Sequence, residues 1–239
     1  MTVRCMAERI RSHSISAWLS DGKFYLKSPL YMACEDHVWE HFWVSFDDTA
    51  ELHEASDFPL IPFDAARTAC FSYLSEACKL LDRSNPQWTP DDRERRKIVE
   101  TLGPPPLNSY TIYMMTVSNA DGSEERVVYI GKTNSESHRF RGGHAAISKL
   151  HAPNYQGLRK KIYFGCIVGF DDDCNYIPID WIQPEMGRDG ILSDIEYQLI
   201  YCTQPELNDT GKETCRAKNR VSLYVQNFCS RVLDGASID

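Results

Sequence analysis

Apolar positions recur along the chain at two different spacings, and the change of spacing marks out the elements. Asp64 to Leu81 and Asp189 to Cys202 carry apolar residues at helical intervals. Tyr110 to Val117, Val127 to Ile130 and Ile162 to Phe170 are short runs rich in β-branched, aromatic and Met residues, which predicts three strands. A polar stretch with Asp121-Gly122 joins the first two as a hairpin turn. Nearer the start, Asp21-Gly22 between Ile15–Ser20 and Lys23–Lys27 predicts another hairpin. Thr89 as N-cap, Pro90 at the first helical position and the acids Asp91 and Asp92 predict a helix through Leu102. A short helix from Gly143 to Leu150 and a terminal helix from Thr214 to Leu233 complete the set.

Gly103-Pro104-Pro105-Pro106 interrupts this series. Consecutive prolines lack amide donors and force extended backbone on their neighbours, so neither a helix nor a central strand can run through them. The expected division is therefore 1–107, a mixed and mostly helical region, and 108–239, an α+β domain. The latter would be a small three-stranded, mainly antiparallel sheet flanked by helices. The role of 1–107 is open between recognition, partner binding and regulation.

Composition narrows the class. Of 239 residues, 42% are hydrophobic and 25% charged, which is ordinary for a globular chain. No run approaches the roughly 18 apolar residues of a membrane span. The first residues never open into an apolar segment of the secretory kind, so a cytoplasmic protein is expected. Nine cysteines without a Cys-x-x-Cys pair suit reduced thiols better than a disulfide framework.

The net charge of −8 conceals a strong asymmetry. Between Arg126 and Lys161 eight basic residues face one acid, Glu136; between Ile162 and Asp209 ten acids face one base, Arg188. The first stretch could steer phosphate despite the acidic total. A solvated basic face is the competing explanation.

Within the predicted second helix, Leu192, Ile195, Leu199 and Ile200 share a face, and Glu196 falls on that apolar stripe. A carboxylate aimed at a core is costly unless a cation or donors compensate it. A buried ion pair with an arginine and a bound metal are the two solutions.

The first strand contains Thr111-Ile112-Tyr113, and the second ends in Tyr129-Ile130-Gly131-Lys132-Thr133. Arg139 follows Gly131 by eight residues, and Glu196 and Asn208 come later in that order. Over roughly Ser109 to Thr210, this ordered set resembles the GIY-YIG nuclease superfamily, with Thr111 standing where the first motif has glycine. The resemblance implies a phosphodiesterase. Glu196 would hold one divalent ion, Mg²⁺ or Mn²⁺ as suits hard oxygen ligation, and Arg139 would bind the scissile phosphate. Tyr113 and Tyr129 would orient or deprotonate the attacking water, with Lys132 placed to help. Arg141 is the alternate to Arg139. His144 would serve as proton relay or phosphate ligand, against the reading of a helix-start surface residue. Asn208 would position the site, against the reading of a plain turn residue.

A separate cluster, Cys34-x-x-His37-x-x-x-His41, would present both histidines on one face if Met32–Val44 were helical, and could bind zinc. The expectation is a metal-dependent endonuclease acting on DNA, with RNA as the other candidate substrate, as in a restriction or defence enzyme. A homodimer would provide two active sites for two strands. The alternatives are a catalytically weak nucleic-acid-binding module and a zinc-organised interaction protein.

Overall fold

The computed structural model describes residues 15–16, 18–19, 25–26, 41–84, 88–107, 109–133, 140–141, 143–170, 175–182 and 187–239. The strands are β1 (Tyr25–Leu26), β2 (His41–Glu51), β3 (Ile112–Ser118), β4 (Arg126–Lys132), β5 (Arg159–Phe170), β6 (Asn175–Pro178), β7 (Ser222–Asn227) and β8 (Ser237–Ile238). The α-helices are α1 (Phe63–Leu80), α2 (Asp92–Leu102), α3 (Ala145–Lys149) and α4 (Arg188–Thr203).

All eight strands join one mixed sheet, which corrects the expected small three-stranded one. The 12-residue β5 is its axis. One edge of β5 pairs antiparallel with β2 from Lys161 to Phe170, while its other edge is divided between β3 (Arg159 to Gly165) and β6 (Val168 to Phe170). Strand β7 adds to β2 in parallel, β8 to β7, β1 to β6 and β4 to β3. The sheet thus takes strands from both sides of the proline segment.

The expected mostly helical character of the N-terminal region fails at β2. Phe42-Trp43-Val44-Ser45-Phe46 is a continuous buried run with a partner strand on each edge, and such a run has no period to separate strand from helix. His41 lies in this strand and not on a helix; Cys34, His37 and the Asp21-Gly22 turn lie outside the described residues, while Ile15–Ser16 and Trp18–Leu19 form turns and Tyr25–Leu26 pairs in parallel with β6 instead of closing the expected hairpin. The expected terminal helix from Thr214 to Leu233 is also corrected. Ser222–Asn227 is strand β7, held to α4 by Gln198, whose amide donates to Val221 O and accepts from Val221 N. Asp194 accepts from the main-chain amides of Lys218 and Asn219, so the approach to β7 is fixed by acceptors on the preceding helix.

Helix α2 begins later than expected. Asp91, not Thr89, is the N-cap, and it forms a capping box with Glu94. The β3–β4 turn follows the sequence reading, with Gly122 at φ +83° and Asn119 N donating to Ser123 O.

The two sheet faces are packed differently around the hairpin. Ile112, Met114 and Ile130 join a core with Leu74 of α1 and with Leu192, Ile195 and Leu199 of α4. Each such fully buried side chain contributes roughly 1.5–3 kcal/mol. Tyr113, Met115 and Val117 point the other way, against Phe140, Leu150, Tyr155 and Phe164. The register slips between Met115 and Thr116, leaving Val128 as a bulge, so Val128 and Tyr129 both face this second core.

Candidate active site at the open edge of β4

Among the described residues, strand β4 pairs only with β3, so its outer edge presents main-chain groups that a buried site must satisfy. Three residues from two segments dock there, at alternate residues of β4. Leu207 N donates to Val128 O at 2.9 Å. The Asn208 amide accepts from Ile130 N at 2.9 Å and donates to Ile130 O at 2.8 Å. Glu196 Oε1 accepts from Lys132 N at 3.1 Å. The edge strand therefore fixes both Glu196 and Asn208, which are 12 residues apart on different elements.

Strand alternation sends Lys132 to the α4 side. Its ammonium donates to Ser193 Oγ and lies 4.0 Å from Glu196 Oε2. It is directed away from the face that carries Tyr113. The Glu196 side chain keeps 15% of its exposure, and the Lys132 main-chain amide and ammonium are two of the groups that compensate its charge.

On the other face, Tyr113 pairs directly with Gly131 across the hairpin. A Cβ at residue 131 would lie 2.5 Å from the Tyr113 hydroxyl oxygen and 2.8 Å from a Tyr129 ring carbon. Only glycine leaves room for both rings, whose centroids are 6.1 Å apart. His144 closes the group, with Nε2 2.9 Å from the Tyr113 hydroxyl and ring centroids 5.3 Å from Tyr129. Phe140 packs edge-on to Tyr113 at 5.1 Å.

His144 is also the N-cap of α3, where its Nδ1 accepts from Ala146 N at 3.2 Å. That acceptor role assigns the proton of the neutral ring to Nε2, which then donates to Tyr113. A donor on the phenol oxygen stabilises the charge it would carry after losing its proton.

The faces meet at a pocket of about 670 Å³, lined by Tyr129, His144, Lys149, Glu196, Asn208 and Asp209 among others. Its outer wall, the loop after α4, is pinned by charge. Glu206 accepts from Arg126 and Tyr155, and both partners hold its carboxyl below the usual glutamate range despite partial burial. The Lys149 ammonium holds Asp209 low.

Of the sequence-named residues, Tyr129, His144, Glu196 and Asn208 share this pocket, with Tyr113, Gly131 and Lys132 directly behind it. Arg141 is exposed and donates to Ser56 O at 3.2 Å. Arg139 lies outside the described residues. Lys149, Tyr197 and Asp209 also line the pocket, though no motif singles them out; Lys149 was legible only as part of the basic stretch.

No group of three or more His, Cys, Asp or Glu side chains is gathered for a metal among the described residues. Glu196, with Asp209 held by Lys149, gives the pocket wall a carboxylate that suits a hard ion keeping most of its waters, and does not suit a closed zinc site. No helix among them is long and apolar enough to cross a membrane. The chain matches no family model, no curated protein and no solved structure.

Proposed function

We propose that the chain is a GIY-YIG-type endonuclease that hydrolyses phosphodiester bonds in DNA with Mg²⁺ or Mn²⁺, in the manner of a restriction or defence enzyme. The observation that carries this reading is the convergence of Tyr129, His144, Glu196 and Asn208 on one pocket, with Tyr113 2.9 Å from His144. The four that line the pocket are separated by up to 79 positions in sequence.

In this reading Glu196 is the carboxylate that would hold the divalent ion. When bound, the ion supplies neutralisation of phosphate charge and easier ionisation of water. Tyr113 acts as the phenolate, its own proton already lost to solvent and its charge stabilised by the Nε2 proton of His144, and takes the proton of the attacking water. Tyr129 forms the adjoining wall and orients that water. Asn208 and Gly131 keep these groups in place without touching the substrate. Arg139 is proposed for the phosphate, and duplex cleavage calls for a second active site from a homodimer.

The test is incubation of the purified protein with plasmid DNA and with RNA, with and without Mg²⁺ or Mn²⁺, comparing wild type, Glu196→Ala and Arg139→Ala. Metal-dependent DNA cleavage lost in Glu196→Ala is the expected result. Equal cleavage by wild type and both variants would refute the assignment.

A further inference from the structure

The pocket contains an ion pair that the reading above does not use. Lys149, on the last turn of α3, and Asp209, on the loop after α4, both line the pocket wall. The Lys149 Nζ lies 2.8 Å from each of the two Asp209 oxygens. Lys149 is the one lysine or arginine among the described residues that line this pocket.

Two oxygens of one carboxylate on a single ammonium reproduce the way a phosphodiester presents its two non-bridging oxygens. The Asp209 side chain is 79% exposed and Lys149 42%, so this is a surface pair, held weakly against solvent and salt. A pair that weak yields readily to a competing anion. Loop anchoring does not depend on it, because Leu207 N and the Asn208 side-chain amide hold the same loop through three hydrogen bonds to the β4 main chain.

We propose that Lys149 is a phosphate-binding residue of the pocket, and that Asp209 is its internal competitor, displaced when a DNA phosphodiester enters. The proposal rests on the nucleic-acid reading of the site, but not on hydrolysis. Asp209 has two effects on an incoming phosphate: it neutralises Lys149 and places a negative charge beside the approach. Loose or misplaced polyanions meet a closed pair, whereas a phosphate seated beside His144 and Tyr129 reaches the ammonium at short range.

The experiment is fluorescence anisotropy of a labelled DNA duplex titrated with the full chain in EDTA, repeated across a salt series, for wild type, Asp209→Asn, Lys149→Gln and the double variant. Asp209→Asn should bind severalfold tighter than wild type. Lys149→Gln should bind more weakly, with the slope of log affinity against log salt reduced by about one. In the double variant Asp209→Asn should confer no gain, since the ammonium it uncovers is gone. Equal tightening by Asp209→Asn in the presence and absence of Lys149 would overturn the pairing, and so would an unchanged salt slope in Lys149→Gln. Absence of binding by wild type and Asp209→Asn alike would also overturn it. Metal-dependent cleavage lost in Glu196→Ala judges the hydrolytic reading separately, because the binding titration contains no free metal.

Discussion

The Lys132 main-chain amide donates to Glu196 Oε1 at 3.1 Å, tying the one pocket-lining glutamate to the open edge of a β-strand. The position of the acid is thus set by backbone geometry, and the lysine side chain adds charge only at 4.0 Å. Replacement of Lys132 by Met should leave Glu196 in place, whereas disturbance of β4 should move it.

Gly131→Ala tests the space behind the tyrosines. The added methyl would overlap the Tyr113 hydroxyl oxygen at 2.5 Å and its ring carbon at 2.6 Å. Overpacking of this kind costs about 1–3 kcal/mol. Thermal denaturation should show that loss, and the Tyr113–His144 hydrogen bond should break, with cleavage falling further than stability alone accounts for.

Asn208 has a different job. Its amide satisfies both main-chain groups of buried Ile130. Asn208→Leu leaves a donor and an acceptor unpaired, at about 1–3 kcal/mol each. Hydrogen exchange should report it locally: the Ile130 amide loses protection, while amides in the β2–β5 ladder change only with global stability. Asn208→Asp should be nearly as damaging, since a carboxylate can accept from Ile130 N but cannot donate to Ile130 O.

His144 caps α3 and also contacts the Tyr113 hydroxyl, and two substitutions separate the cap from the proposed chemical role. His144→Ala removes the α3 cap and should cost about 1 kcal/mol. His144→Asn restores an N-cap acceptor and should restore stability. Neither reaches Tyr113 in the same way, so both should lose cleavage activity, measured by plasmid nicking beside thermal denaturation. Recovery of activity in His144→Asn would reduce His144 to a cap.

Much of the site is legible in the sequence because each of its residues satisfies a local rule. Tyr129 and Gly131 sit at strand spacing after a turn, and Glu196 interrupts an apolar helical stripe. What holds them is not legible. Glu196 and Asn208 meet β4 through main-chain groups, which carry no side-chain signature. Strand β2 reads as an aromatic segment because Phe42 to Phe46 is buried on both faces. Strand β7 depends on Gln198 and Asp194, side chains distant in sequence that divert Lys218–Val221 from a helical course. The three-proline segment marks a real interruption of secondary structure, but pairing between β2 and β5 passes it by.

Asp180 gives the fold a pH dependence opposite to that of ordinary carboxylates. It is 3% exposed, its Oδ2 has no hydrogen-bond partner among the described residues, and burial pushes its carboxyl up to about 7. Its own main-chain amide and the charges of Arg188 and Arg67 offset only part of that. Between its ordinary value of 3.8 and about 7 the folded state holds a proton that the unfolded state has lost. Its contribution to stability therefore falls as pH rises through that window. Asp180→Asn removes the effect: the variant should match wild type near pH 4 and exceed it at pH 8 by on the order of 3–4 kcal/mol. Urea denaturation at both pH values measures the difference directly.

The central claim is that Glu196 belongs to a hydrolytic centre. Glu196→Gln keeps an acceptor for the Lys132 amide and removes only the charge, so the fold survives while the proposed metal ligand is lost. The decisive measurement is single-turnover cleavage of an end-labelled DNA duplex with Mg²⁺ by wild type and Glu196→Gln at matched folded concentration. The account requires cleavage by wild type and a loss of about a hundredfold or more in the variant. Equal rates in the two proteins, or no cleavage by wild type with either Mg²⁺ or Mn²⁺, would contradict it.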